Sequence, residues 1–229
     1  MLVNILEQTH TKLGNKIKLL GENGKNNILI IGVFHGDEPQ GKLLIEKYIK
    51  NHNSYEIKSS QNMQEQRKNL LFIPCLNPDG LSSNTRTNAN GVDLNRNFPT
   101  KNWGQNKGEN ATCDDCQTNY YGGSSAASEI ETRFVIDIIK KYSPTLILTF
   151  HAPYKVVNYD GPAQKIAQEI SKIIGYPVEE SIGYPTPGSF GTYCGIERNI
   201  PTITLELDEK CPIENLYEPI FEIFDNLQY

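Results

Sequence analysis

The stretch Asn27-Ile28-Leu29-Ile30-Ile31-Gly32-Val33-Phe34-His35-Gly36-Asp37-Glu38-Pro39 decides the fold. From Asn27 to Phe34 it is almost unbroken in apolar residues, the pattern of a strand covered on both faces. It ends abruptly in His35, Gly36, Asp37 and Glu38. Pro39 then sits at a plausible first helical position, and Leu43, Leu44, Lys47 and Ile49 mark a helix over Pro39–Lys50. Strand, polar turn and helix follow one another within 24 residues, numbers 27–50.

Three further runs are of the same kind: Asn69–Leu76, Thr145–His151 and Pro201–Leu207. Helical patterns lie between and after them. Ser128–Tyr142 has Ser128 as an expected N-cap, with Glu131 completing a capping box. Gly161–Ile174 repeats isoleucine at helical spacing and stops at Gly175, and Pro212–Asn226 makes a last amphipathic helix. Alternating strands and helices predict a single α/β domain over 1–229, with a mainly parallel, mixed central sheet and helices on both faces. Two stretches show no regular element: the polar Ser59–Lys68, and Asn77–Ala127, rich in Asn, Gly, Asp and Thr. A long irregular segment inside a compact domain is usually functional or disordered.

Composition narrows the functions available. The 229 residues carry a net charge of −5, which argues against nucleic acid as a partner. No apolar run approaches the ~20 residues that span a bilayer, so no membrane partner is expected. Met1–Glu7 lacks the basic start and long apolar stretch of an export signal. With five cysteines, that reading predicts reduced thiols and a cytoplasmic protein.

In an open α/β sheet, ligands bind beyond the carboxyl ends of the strands. His35 and Glu38 follow the first apolar run, Asn77-Pro78-Asp79-Gly80 the second, His151 ends the third, and Glu206 lies in the fourth. His35 and Glu38 can reach one metal from a tight turn, and His151 would be a third ligand. Two histidines and a carboxylate leave a position open for water, as in catalytic zinc sites. Glu206 would be the general base. Singly, His151 could be a core histidine and Glu206 could pair with a lysine; the set at matching strand ends carries the inference.

These residues resemble the zinc metallocarboxypeptidases related to carboxypeptidase A, the standard example of a His₂Glu site. The likeness runs through His35–Glu38, Leu76–Gly80, Gly91-Val92-Asp93-Leu94-Asn95-Arg96-Asn97-Phe98, Ser128-Glu129, His151 and Thr204–Leu207. It implies one zinc per chain on His35, Glu38 and His151, with Glu206 as base. It also implies that Asn95 and Arg96 hold a substrate carboxylate, that Arg86 stabilises the oxyanion, and that Tyr184 closes over the substrate. Arg67 is the rival to Arg86, and Tyr176 and Tyr193 are rivals to Tyr184. Within the family, Gly32–Gly41, Arg86–Gly91 and Tyr184–Ser189 look most like a bacterial cytoplasmic branch. That branch cuts the γ-D-glutamyl–meso-diaminopimelate bond of recycled murein peptides, which makes a small murein peptide the expected partner. The alternatives are an N-acyl amino-acid deacylase of the succinylglutamate desuccinylase or aspartoacylase type, and a non-catalytic peptide-binding module. Cys113-Asp114-Asp115-Cys116 reads as a loop-stabilising or incidental pair, Cys75, Cys194 and Cys211 as buried or semi-buried, and His10 and His52 as solvated.

Overall fold

Along the strand Asn27–Ile31 (β3), side chains alternate between two cores. Ile28 and Ile30 belong to one apolar cluster and Leu29 and Ile31 to the other. This is why the run is apolar at every position rather than every second one. The computed structural model describes residues 3–53, 68–104, 120–180 and 186–229.

The other strands are β1 (Asn4–His10), β2 (Lys16–Gly21), β4 (Asn69–Ile73), β5 (Leu146–His151), β6 (Val156–Asp160), β7 (Val178–Glu179) and β8 (Thr202–Glu206). They form one eight-stranded sheet in the order β1-β2-β4-β3-β5-β8-β6-β7. The central β4, β3, β5 and β8 are mutually parallel, and antiparallel pairings at β2–β4 and β8–β6 join on the flanks. The expected mixed, mainly parallel sheet is therefore present. Helices α1 (Gln40–Asn53), α4 (Gln164–Ile174) and α5 (Ile213–Leu227) cover one face through Leu44, Ile45, Ala167, Ile170, Ile220 and Phe224. Helix α3 (Ile130–Tyr142) covers the other through Val135, Ile138 and Ile139. From β3 the chain moves to β4 on one side, and from β5 to β8 on the other. The order reverses between β3 and β5, where a crevice opens at the strands' carboxyl ends.

Several sequence expectations are corrected. The sequence pattern does not mark the outer strands β1, β2, β6 and β7; β1 and β6 carry polar residues such as Glu7, Gln8 and Asn158, which mask an apolar pattern. The segment from Asn77 contains a short helix α2 (Pro78–Ser83) and a 3-10 turn at Leu94–Arg96. Ser128 does not cap α3: the cap position is Glu129, without a side-chain bond. Ser128 Oγ instead donates to Glu129 Oε1 at 2.5 Å and accepts from Asn97 Nδ2 at 3.0 Å. Helix α4 starts at Gln164 rather than Gly161, which has a positive φ of 67°. His52 is half-buried, its ring centroid 3.8 Å from that of Tyr48. Arg67, Cys113, Cys116 and Tyr184 lie outside the described residues.

Candidate metal centre and active site

The turn after β3 is held against the turn after β4. Gly32 N–H donates to Ile73 O, Leu76 N–H to Gly32 O and Asn77 N–H to Val33 O, so the pairing continues past both strands. Asn77 accepts from Gly80 N–H at 2.9 Å and donates to Phe34 O at 3.3 Å. A methyl on Gly36 would lie 2.0 Å from Gly80 C, so the two turns meet backbone to backbone. Asp79 is buried and accepts from Thr11 Oγ1 and Asn15 Nδ2, fixing α2 to the first hairpin. The Asn-Pro-Asp-Gly segment thus supports the His35 turn rather than reaching the crevice.

His35, Glu38 and His151 converge. His35 Nδ1 is 2.9 Å from Glu38 Oε1 and 3.2 Å from His151 Nδ1, and His151 Nδ1 is 3.1 Å from Glu38 Oε2. Two donors each about 2.05 Å from a tetrahedral ion stand roughly 3.3 Å apart, so this set fits zinc. Among the described residues it is the one group of three or more His, Cys, Asp or Glu donors close enough to share an ion. The fit extends outward: His35 Nε2 lies 3.2 Å from Asp93 Oδ1, and an N–H donated there leaves Nδ1 free to ligate.

Asp93 had no role assigned from sequence. It is fully buried, accepts from Arg86 Nε at 3.0 Å through Oδ2, and accepts from the Asn95 backbone N–H at 2.8 Å through Oδ1. One carboxylate therefore orients a candidate metal ligand, Arg86 and the Leu94–Arg96 turn. An aspartate at the cap of a turn, two residues before Asn95, was the available signal.

Charge explains the titration behaviour. In the metal-free protein burial works against a charged His35, but Glu38 and Asp93 outweigh it and raise its pKa to about 9. Burial likewise opposes the charge on Glu38 and Asp93, yet His35 and the other cationic partners hold both well below the usual carboxylate range. Arg86 lies 3.7 Å from Glu38 Oε1, which brings its guanidinium to the edge of the ligand set. Glu206 sits across the ladder from His151, at the paired register position. It is 6% exposed, its Oε2 has no hydrogen-bond partner, and burial pushes its pKa upward.

Asn95 and Arg96 lie on the 3-10 turn. Asn95 Oδ1 accepts from Phe190 N–H at 2.8 Å, leaving its amide nitrogen as a donor. Arg96 is buried, donates to Asn95 O through one terminal nitrogen, and has an unpartnered Nε. The Tyr120 ring stands 5.1 Å from the Arg86 guanidinium and 5.2 Å from that of Arg96. The structure thus groups His35, Glu38, His151, Glu206 and Arg86, with Asn95 and Arg96 joined to them through Asp93. Tyr176 and Tyr193, the rivals to Tyr184, are engaged elsewhere, with Asp208 N–H and with the Arg198 guanidinium.

Comparison with known proteins agrees with this geometry. Murein peptide amidase A of Escherichia coli (strain K12) is 35% identical over 139 residues, which are 58% of this chain and 56% of that protein. The chain thus matches just over half the length of that relative. Gamma-D-glutamyl-L-diamino acid endopeptidase 1 of Lysinibacillus sphaericus is 23% identical over 219 residues, covering 76% of this chain and 54% of that protein. The crystal structure of a murein-tripeptide amidase from Escherichia coli O157 superposes with a TM-score of 0.75 at 25% identity, covering 96% of this chain and 90% of that one. The zinc carboxypeptidase family model matches residues 3–190, a span that holds His35, Glu38, Arg86, Asn95, Arg96 and His151. On that match, and on a ligand set built at the reversal of strand order, the chain belongs to the zinc carboxypeptidase family.

Proposed function

We propose that the protein is a zinc-dependent amidase that hydrolyses the γ-D-glutamyl–meso-diaminopimelate bond of small murein peptides. The observation that carries this reading is the convergence of His35, Glu38 and His151 beside a buried carboxylate, Glu206, with an oxygen left unpartnered. The similarity to murein peptide amidase A supports the substrate class.

One zinc per chain, held by His35, Glu38 and His151, would supply an acidified water and polarise the scissile carbonyl. Glu206 takes the proton from the attacking water; burial raises its pKa toward the value a general base needs near neutrality. It then delivers that proton to the departing amine. Arg86, fixed by Asp93, faces the oxygen on which negative charge develops. Arg96 and Asn95 grip the carboxylate of the leaving residue, and the unpartnered Nε of Arg96 gains an acceptor. Tyr184 is assigned to cover the bound peptide.

The same reading places the protein in the cytoplasm, acting on recycled cell-wall peptides. Cys75, Cys194 and Cys211 are free thiols, which accords with a reducing compartment. No helix among the described residues is long and apolar enough to cross a membrane.

Mass spectrometry of products tests the proposal. The zinc-loaded protein should release free meso-diaminopimelate from L-alanyl-γ-D-glutamyl-meso-diaminopimelate. It should act poorly when the carboxylate next to the scissile bond is amidated. Turnover of N-succinylglutamate in place of the tripeptide would overturn the assignment.

A further inference from the structure

Away from the metal centre, a cavity of about 700 Å³ lies between helix α1 and strand β2. That volume is within the range of sites that take small molecules. Two periodicities build its walls. On β2, Ile17 and Leu19 are fully buried in the core beneath α3, so Lys16, Lys18 and Leu20 face the other side of the sheet. Helix α1 packs against β5 and α5, and the cavity is the gap left between it and β2. Along α1, Lys42, Glu46, Ile49 and Lys50 recur at helical spacing and turn one stripe to this gap. The segment after β4 closes it with Pro74, Cys75, Pro78 and Leu81.

The charge gathered here runs against that of the chain. Four lysines and one glutamate line the cavity of a protein whose net charge is −5. The glutamate is already paired, Glu46 with Lys42 at 2.9 Å. Lys16 is exposed and Lys18 half-buried, and neither has a hydrogen-bond or ion-pair partner among the described residues. Like charges held around a partly enclosed space repel one another, and a bound anion relieves that repulsion.

Between the charges the surface is aliphatic. Among the residues lining the cavity there is no aromatic ring on which a base could stack, and no amide or hydroxyl side chain to read a polar edge. Lysine is a compact point charge without the fork of an arginine. Lys16 and Lys18 stand ~7 Å apart along the strand, and Lys42 and Lys50 ~12 Å apart along the helix. Burial pushes the Cys75 thiol up to about 12, which makes it a neutral part of the wall and not a nucleophile. The matching ligand has an aliphatic body and a negative group at each end.

We propose that the cleft between α1 and β2 is a second ligand site, which takes an aliphatic dianion of the dicarboxylate class. It shares no residue with the metal centre and does not rest on the amidase reading.

Suberate, octanoate and octanediol test this on the zinc-loaded protein, because they share a chain length and carry two, one and no negative charges. Affinity is measured by calorimetry. Occupancy is read as protection of Cys75 from iodoacetamide by peptide mass spectrometry, with Cys211, which does not line the cavity, as internal reference. Suberate should bind saturably and slow alkylation of Cys75 but not of Cys211, octanoate should bind more weakly, and octanediol should not bind. Lys16→Gln with Lys18→Gln should weaken suberate about 5–30-fold, the scale of two partly exposed charge pairs. Glu46→Gln removes the acid and frees Lys42, so it should tighten suberate by about two- to fivefold. Thermal unfolding without ligand establishes that the variants are folded. Equal affinity for the three compounds, or suberate affinity unmoved in both the lysine and the Glu46 variants, would overturn the site. Protection of Cys75 by inorganic phosphate as effective as that by suberate would overturn the dicarboxylate assignment and leave an adventitious ion only. Protection by polyglutamate with none by suberate would overturn it in favour of an acidic protein surface.

Discussion

Asp93 shows how much one side chain can organise. It reaches His35, Arg86 and the backbone of Asn95, so its carboxylate ties together a candidate ligand, a fixed positive charge and the Leu94–Arg96 turn. Asp93→Asn should weaken zinc binding about 10–100-fold, the usual cost of removing a partner behind a metal-bound histidine. Competition with a chromophoric chelator would measure it, and unchanged affinity would remove Asp93 from the site. A pH dependence follows from His35. Its folded-state pKa is raised to about 9, so in the metal-free protein the stability contributed by protonated His35 is complete below about 6.5 and is lost as pH rises through about 9. Zinc must displace that proton. Affinity for zinc should therefore climb between pH 7 and 9 and level off above; a flat profile over that interval would contradict the assignment. The candidate ligands were legible in the sequence because each ends or closely follows an apolar run. Asp93 was not, because its partners come from turns distant in the chain and no local pattern marks them.

At the scale of elements, the site depends on two turns in backbone contact. The Gly36–Gly80 approach leaves no room for a side chain on Gly36, and one on Gly80 would collide with Asn77 and with Thr87 O. Gly36→Ala should lower stability by about 1–3 kcal/mol, the range for overpacking a close-fitted interior, and should displace His35. Thermal unfolding with and without zinc would show it: the variant should lose much of the stabilisation that zinc gives the wild type. An unaltered zinc-dependent shift would mean the turn relaxes without moving the ligand. The central strands could be read because both of their faces are buried, which demands continuous apolar sequence. The flanking β1 and β6 could not, since one side of each meets water or polar neighbours. The Ser128 capping box failed for a tertiary reason: Asn97 claims Ser128, while Asn88 and Asn90 claim Glu129. Long-range bonds from the 88–97 segment override a local rule that the sequence satisfies.

Over the whole molecule, parallel strands β3, β5 and β8 bring His35, His151 and Glu206 to one edge from positions up to 171 residues apart in sequence (206 − 35). The fold class was readable from the alternation of strands and helices, and the reversal of strand order then specified where the crevice lies. The proposed carboxylate clamp was less readable: Asn95 and Arg96 sit in a polar segment without periodicity, and their position follows from Asp93 and from Phe190. Glu206 lies beyond the span matched by the family model, so its role depends on its register opposite His151. The most direct measurement is therefore turnover of the murein tripeptide by zinc-loaded Glu206→Gln, with metal content determined on the same sample. Glutamine keeps the shape but cannot accept the proton. The variant should hold one zinc per chain and bind substrate while kcat falls by roughly 10²–10⁴-fold. A zinc-replete variant with near-normal kcat would contradict the account.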